Sequence, residues 1–114
     1  MCEYAWTSFN GNAKVFDFSA VGQEGRFHPT QKPVDLYAYC LQWFAKEGDR
    51  IFDPMMGSQS SRIAAYKLGY DFYGCEIDEE FFAKGCERFD RECHGITATP
   101  SGTKYQQTSI LDII

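Results

Sequence analysis

The chain has 114 residues, a length that allows one small domain with a single hydrophobic core. Hydrophobic residues make up 44% of it and aromatic residues 17%, which excludes an intrinsically disordered chain. The net charge of −5 at pH 7 argues against tight binding of duplex DNA by this chain alone, since such binding needs a basic face that neutralises phosphates.

The five cysteines are odd in number, show no C-x-x-C spacing and have no histidines clustered with them. This pattern predicts neither a metal site nor a disulfide framework. Reduced thiols are typical of cytoplasmic proteins, so a cytoplasmic location is predicted. No basic-then-apolar leader and no apolar run of membrane-spanning length occurs, so no association with a membrane is predicted.

Two segments near the N-terminus, Glu3 to Phe9 and Ala13 to Phe18, are rich in aromatic and β-branched residues. They flank the turn sequence Asn10-Gly11-Asn12, and Asn and Gly tolerate the positive φ of tight turns. The pattern predicts an N-terminal β-hairpin. The Gly-containing polar residues 19–25 that follow predict a loop.

A helix is predicted from Pro33 to Lys46, because proline suits a first helical turn and the apolar residues that follow have helical spacing. Leu36, Cys40 and Trp43 form a second apolar stripe on another side of this helix. A helix that is apolar on two sides is buried on both, so the stripe predicts contact with another polypeptide.

A strand, a helix, a strand and a helix follow in that order. The first strand is predicted over Arg50 to Asp53, and the helix after it over Ser60 to Leu68. The second strand is predicted over Asp71 to Glu76, and the second helix follows the capping residue Asp78. This order is a βαβ unit, which implies two parallel strands joined by a right-handed crossover. The fold class is therefore α/β. From His94 the chain is poor in apolar residues until Ile110, which predicts a mobile tail over 94–114 behind a folded part over 1–93.

The turn after the first of these strands has the features of a nucleotide site. An acid, Asp53, ends the strand, and a Gly-containing turn enters the next helix, as in the crevices where open α/β sheets bind nucleotides. Glu76 lies 23 positions later, at the end of the next strand, where an acid suits ribose hydroxyls. The Gly-x-Gly-x-x-Gly pattern is absent, which disfavours NAD and FAD. Taken alone, the stretch fits equally well an ordinary turn in which Asp53 binds backbone N–H groups.

Three linked motifs carry a resemblance to a known family. They are His28-Pro29-Thr30-Gln31-Lys32-Pro33 before a helix, Asp53-Pro54-x-x-Gly57-Ser58 in the turn, and Gly74-Cys75-Glu76-Ile77-Asp78 after the second strand. From about Tyr4 to Phe89 the chain resembles the amino-methyltransferases of DNA, which modify adenine N6 or cytosine N4. The match is closest to the circularly permuted branch, in which the catalytic half precedes the cofactor-binding half. The resemblance implies a Rossmann-like methyltransferase sheet, present here only in part.

The resemblance also implies that the chain binds S-adenosylmethionine. The adenosine and methionine parts would lie over the turn, and Glu76 would hold the ribose hydroxyls. Loop residues would line the methionine end, where Thr30 and Lys32 would meet the carboxylate. The implied site residues are His28, Pro29, Thr30, Gln31, Lys32, Asp53, Pro54, Met55, Gly57, Ser58 and Glu76. The alternatives are that His28 and Lys32 only fix the start of the helix and that Glu76 only caps the next one.

The chain departs from the family pattern at two points. Gln59 stands where the family commonly has a second glycine, so a positive φ there would strain the backbone unless the turn is rearranged. No Pro-Pro pair occurs, whereas the family's catalytic motif is Asp, Asn or Ser, then Pro-Pro, then an aromatic residue that stacks on the flipped base. In the permuted order this motif would precede Met1, and the N-terminal hairpin would be the last part of the catalytic half.

The resemblance thus predicts the cofactor-binding part of a DNA methyltransferase of the restriction-modification kind, without catalytic residues and without a metal. DNA would bind through the complete enzyme and only weakly to this chain, which is expected to be inactive when isolated. Its partner would be the missing catalytic half on another polypeptide or a second copy of the chain. The alternative function is a non-catalytic, self-associating module that retains the methyltransferase fold.

Overall fold

The computed structural model describes residues 3–18 and 26–106. The elements over these residues are, in chain order, α1 Val34–Phe44, β1 Arg50–Asp53, α2 Ser60–Lys67, β2 Asp71–Gly74, α3 Glu79–His94, β3 Ile96–Ala98 and β4 Lys104–Gln106. No helix within the described ranges is long and apolar enough to cross a membrane.

The predicted βαβ unit is confirmed, although its second strand ends at Gly74, two residues before the predicted end at Glu76. β1 and β2 pair in parallel, from Arg50 opposite Asp71 to Asp53 opposite Gly74, and α2 is the connection between them. Side chains alternate along both strands between half-buried and exposed positions. On the exposed face Phe52 retains 64% and its neighbour Tyr73 58% of their accessible surface. Parallel sheets are normally covered on both faces, so this pair has one face that the described residues leave open.

The core lies around α2, which packs against α1, β2 and α3. Its side chains Ile63, Ala64 and Ala65 are almost completely inaccessible to solvent. Two alanines and the serines at the start of this helix are small enough for the neighbouring elements to approach its backbone closely. The position of α2 therefore fixes the position of the turn that precedes it.

The N-terminal β-hairpin predicted over Glu3 to Phe9 and Ala13 to Phe18 is wrong, because residues 3–18 contain no strand. This segment lies along α1 instead. Phe9 stacks on Phe44 with ring centroids 5.0 Å apart, and the Tyr39 hydroxyl donates to the Val15 carbonyl oxygen at 3.2 Å. An isolated two-stranded hairpin is marginally stable in water, whereas aromatic side chains gain burial by packing on a helix.

The helix predicted from Pro33 to Lys46 is confirmed as α1, with Pro33 just before its first residue. Of the second apolar stripe, Leu36 is half-buried, Cys40 is exposed and Trp43 is 55% exposed. The Lys14 ammonium lies 3.8 Å from the centroid of the Trp43 ring. The N-terminal segment thus covers part of α1, and the stripe is only partly open.

Asp78 caps α3 as predicted, because its Oδ1 accepts a hydrogen bond from the Phe81 N–H at 2.9 Å. The helix ends at Gly95, whose positive φ of 66° suits a glycine. β3 and β4 then pair antiparallel, with Ile96 opposite Gln106. The sequence predicted a mobile tail from residue 94, and this short hairpin was not foreseen. The rest of that tail, residues 107–114, and the predicted loop over 19–25 lie outside the described residues.

We predict that Asp78→Ala lowers the free energy of unfolding by about 1 kcal/mol, the usual cost of losing a helix N-cap. Asp78→Asn is the matched control, because asparagine retains a capping oxygen. Its free energy of unfolding should fall by no more than about a few tenths of a kcal/mol. Urea denaturation monitored by circular dichroism measures both variants. Equal unfolding free energies for Asp78→Ala and the unmutated chain would contradict the capping role.

Candidate functional site

The turn over residues 54–59 is tied to the end of β2. The Cys75 N–H donates to the Asp53 carbonyl oxygen at 3.0 Å, and the Met56 N–H donates to the Cys75 carbonyl oxygen at 2.9 Å. The Gly57 N–H donates to Oε2 of Glu76 at 3.1 Å. These bonds place the turn at the carboxyl edge of the parallel pair, beside the acid that follows β2.

Asp53 orders the turn from its other side. Its Oδ1 accepts the Met55 N–H at 3.0 Å, and its Oδ2 accepts the Ser61 hydroxyl at 2.6 Å. Burial raises the pKa of the nearby Tyr37 phenol on α1, and the charges of Asp53 and then Cys40 raise it further. Asp53 thus has the backbone role that the sequence left open as an alternative, and Tyr37 stays a neutral hydroxyl close to it.

Glu76 has one backbone donor on each carboxylate oxygen. Besides the Gly57 bond at Oε2, its Oε1 accepts the Asp78 N–H at the long distance of 3.4 Å. The cap of α3 is supplied by Asp78 itself, so capping does not account for the position of Glu76. Its stronger bond is the one to the turn.

The loop that carries the His-Pro-Thr-Gln-Lys motif reaches the same turn. A Cβ atom built on Gly57 would lie 3.4 Å from Nε2 of His28, so the imidazole lies over this glycine, whose φ is 51°. The His28 ring also packs on Phe81, with centroids 4.4 Å apart. Its Nδ1 lies 3.2 Å from the Thr30 backbone nitrogen and 3.1 Å from the Thr30 hydroxyl. Two motifs that are separate in sequence therefore meet in the structure.

Lys32 fixes the loop through its backbone and contacts the N-terminal segment through its side chain. Its carbonyl oxygen accepts the Ser60 hydroxyl at 2.7 Å, and its Nζ lies 2.6 Å from Oε2 of Glu3. The hydrogen bond from Lys32, and then its charge, lower the pKa of the Glu3 carboxyl. The ammonium group that the resemblance assigns to a carboxylate is thus bound to a carboxylate of the chain itself.

The remaining residues expected at the site are placed less closely. The Pro29 carbonyl oxygen accepts the Arg26 guanidinium at 2.8 Å, and Oε1 of Gln31 accepts the Phe27 N–H at 3.2 Å, so both groups bond within their own loop. Pro54 and Met55 are exposed on the turn, whereas Ser58 is buried within it.

Gln59 has a left-handed backbone conformation, with φ of 65° and ψ of 25°, and no other non-glycine residue in the described ranges has a positive φ. The strain expected from a glutamine at a family glycine position is therefore present. Its side chain is fully buried and points toward α3. Nε2 donates to the Phe82 carbonyl oxygen at 3.2 Å, and Oε1 accepts the Arg62 guanidinium at 2.8 Å.

Gly85 makes room for this side chain on α3. A Cβ atom at position 85 would lie 2.7 Å from both Cγ and Nε2 of Gln59, a distance that real Cβ contacts essentially never show. Gln59 and Gly85 are therefore complementary in shape. The buried amide lies between Arg62 of α2 and Phe82 of α3.

Arg88 on α3 is a component of the turn that the sequence did not indicate. It is only 7% exposed, and its Nη1 lies 2.7 Å from the Ser60 hydroxyl and 3.1 Å from the Ser58 carbonyl oxygen. Its Nε donates to Oε1 of Glu92 at 3.0 Å. The i,i+4 spacing of Arg88 and Glu92 suggests an ordinary surface ion pair, and nothing in the local sequence signals its burial.

The residues described by the structure contain no group of three or more His, Cys, Asp or Glu side chains that could hold a metal ion. The four cysteines among them, Cys40, Cys75, Cys86 and Cys93, are free thiols. The site consists instead of a Gly-containing turn, an acid at each of two adjacent strand ends, and a His-containing loop. It belongs to the class of sites at the carboxyl edge of a parallel pair in an α/β domain.

Comparisons with known proteins agree with this class. The family model described as DNA methylase, that of the N6 and N4 methyltransferases, matches residues 4–86, well over half of the chain. The chain belongs to this family.

Three curated relatives show the same similarity. The chain is 33% identical over 86 residues to the type II methyltransferase M.HpaI of Haemophilus parainfluenzae, which covers 73% of this chain and 27% of that protein. It is 35% identical over 83 residues to the DNA adenine methyltransferase YhdJ of Escherichia coli K12, covering 70% and 28%. It is 37% identical over 65 residues to the type II methyltransferase M2.DpnII of Streptococcus pneumoniae, covering 57% and 24%.

The matched regions span about a quarter of the length of these relatives. No solved structure shows a significant match to the chain.

We predict that Gly85→Ala lowers the free energy of unfolding by about 1–3 kcal/mol, because its Cβ would overlap the Gln59 side chain. In a Gln59→Gly background the same change should be neutral or stabilise by up to about 1 kcal/mol, since alanine favours a helix over glycine. Denaturant unfolding of the double-mutant cycle measures the coupling. Ala83→Gly, at an exposed position of α3, calibrates helix propensity. An equal cost of Gly85→Ala in both backgrounds would contradict the contact.

Proposed function

We propose that the chain is the cofactor-binding part of an S-adenosylmethionine-dependent DNA methyltransferase that acts on adenine N6 or cytosine N4. The observation that carries the proposal is the bond between Glu76 and the Gly57 N–H. It sets an acid, a glycine turn and a helix start side by side at the carboxyl edge of a parallel pair, the arrangement that suits a nucleoside.

The groups around Glu76 fit an adenosine. Each carboxylate oxygen accepts one backbone N–H and has a further lone pair for a ribose hydroxyl. Met55 and Ile77, which adjoin the two strand ends, are almost fully exposed apolar side chains that suit the faces of an adenine ring. The lack of a side chain at Gly57 lets the His28 ring approach the turn closely.

The groups on the loop side fit the methionine end. Thr30 has an exposed hydroxyl, and Lys32 supplies an ammonium group whose present partner, Glu3, is exposed and exchangeable for another carboxylate. Asp53, Pro54 and Ser58 would form the floor of this end, with Pro29 and Gln31 holding the loop shape. When bound, the cofactor supplies an electrophilic methyl group. The part of this chain is to bind and orient it.

The target base would be held by residues that this chain does not provide. Its sequence has no Pro-Pro pair, and its net charge of −5 is unsuited to binding DNA alone. The open sheet face of Phe52 and Tyr73 is a surface that a catalytic half would cover. The isolated chain is therefore proposed to be inactive, to act on DNA only as part of a complete enzyme, and to work in the cytoplasm.

A second candidate is a non-catalytic module that retains the fold and pairs with a second copy of itself. The exposure of Cys40 and Trp43 on α1, together with the open sheet face, favours this alternative. Contiguous exposed apolar side chains on a small domain commonly mark an interaction surface.

Calorimetric titration with S-adenosylhomocysteine tests the proposed site. We expect the unmutated chain to bind, and Glu76→Ala to bind at least about tenfold more weakly, because both ribose contacts and the turn bond are lost. Glu79→Ala, which removes an exposed carboxylate three positions away, is the control and should bind as the unmutated chain does. Absence of binding by the unmutated chain would refute the cofactor site.

A methylation assay with tritiated S-adenosylmethionine and DNA tests the complete function. We expect no transfer by the chain alone and transfer when a polypeptide carrying the Pro-Pro catalytic motif of a family member is added. Light scattering with the same samples distinguishes the two candidates. A monomer that becomes a heterodimer on mixing supports the enzyme, whereas a stable homodimer that does not exchange supports the self-associating module.

A further inference from the structure

We infer that Arg88 is a positioning residue for the cofactor turn, acting through the backbone of Ser58 and the hydroxyl of Ser60. The inference rests on the proposed function, because the ligand of that turn is the proposed S-adenosyl cofactor. Arg88 itself is assigned no contact with the ligand, and of the residues that are assigned one it binds Ser58. Its effect would come from holding the turn in the conformation that the ligand needs.

One nitrogen of Arg88 binds both sides of the strained residue. Its Nη1 lies 3.1 Å from the Ser58 carbonyl oxygen, 3.3 Å from the Ser58 hydroxyl and 2.7 Å from the Ser60 hydroxyl. Ser58 and Ser60 flank Gln59, whose backbone is left-handed. A non-glycine residue persists in that conformation only where its surroundings over-determine it. The arginine from α3 supplies that constraint.

The burial of the charge makes the constraint strong. Arg88 is only 7% exposed, so its guanidinium has little water to replace a lost acceptor, and displacement of Ser58 or Ser60 would leave donors unpaired. Glu92 balances the charge through an ion pair between its Oε1 and the Arg88 Nε at 3.0 Å. The guanidinium of Arg88 thus binds Glu92 with Nε and the turn with Nη1.

Arg88 influences the proposed ligand-binding groups through residues next to them in the turn and in the loop. Gly57, whose N–H binds Glu76, directly precedes Ser58 in the chain. The bond from Arg88 to the Ser58 carbonyl oxygen therefore restrains the backbone next to that N–H. The Ser60 hydroxyl, which accepts from Arg88, itself donates to the Lys32 carbonyl oxygen at 2.7 Å. Arg88 is therefore linked both to the side of the turn that faces Glu76 and to the loop of His28.

The test compares Arg88→Lys and Arg88→Gln with Phe89→Leu. Lysine retains the charge but lacks the fork, and glutamine retains a donor without a charge. Phe89 is the adjacent buried residue, and it packs on Tyr66 and His94 and has no hydrogen bond to Ser58 or Ser60. Its ring lies against the Arg62 guanidinium, and leucine keeps an apolar side chain there. Binding of S-adenosylhomocysteine is measured by calorimetry well below the unfolding temperature of each variant. Amide exchange of Gly57 and Gln59 is measured by nuclear magnetic resonance without ligand.

We expect both Arg88 variants to bind about tenfold more weakly and to exchange the Gly57 and Gln59 amides faster. Phe89→Leu should lower the unfolding temperature while leaving the affinity and the exchange of the Gly57 amide unchanged. Unaltered affinity in Arg88→Lys and Arg88→Gln, or an equal loss in Phe89→Leu, would overturn the positioning role. Absence of binding by the unmutated chain would overturn the proposed function as well, and is thereby distinguished from failure of this inference alone.

Discussion

The hydrogen bond from the Gly57 N–H to Glu76 joins the two halves of the βαβ unit at the edge where a ligand would lie. Its donor belongs to the turn after β1, and its acceptor follows β2. Parallel pairing brings these strand ends together, and α2 fixes the turn because its buried alanines anchor the helix against its neighbours. Loss of the pairing, the helix packing or the acid would separate the groups that the proposed function needs.

The packing of the Gln59 side chain offsets the backbone strain at the same residue. Gln59 occupies a left-handed position that glycine would adopt without cost. Its side chain fits into the space left by the absent side chain of Gly85, and its amide has hydrogen-bond partners. The stabilisation from burial and hydrogen bonding offsets a backbone penalty of about 1–2 kcal/mol. The polar group of Gln59 therefore bonds to Arg62 and α3, while His28 and Glu76 contact the turn at Gly57.

Much of the architecture follows from local sequence, and the exceptions have physical causes. The strand at Arg50–Asp53, the helix after Pro33 and the cap at Asp78 depend on short-range patterns, and all three were predictable. The N-terminal hairpin was not, because its aromatic residues respond to the surface of α1 and not to each other. Arg88 was also missed, since burial of a charge depends on serines about thirty residues away in the chain. For the site, motif order predicted that the loop of His28 meets the turn, but not that Lys32 binds Glu3.

The parallel pair of β1 and β2 has a consequence for the chain in isolation. Within residues 3–18 and 26–106 no further strand joins this pair, so each strand has an outer edge with backbone N–H and C=O groups directed sideways. Such edges are templates for adding strands from other chains, and the flanking aromatic face favours the addition. High concentration of the chain would therefore promote edge-to-edge aggregation. Under the proposed function, addition of strands by a catalytic half would suppress the same process.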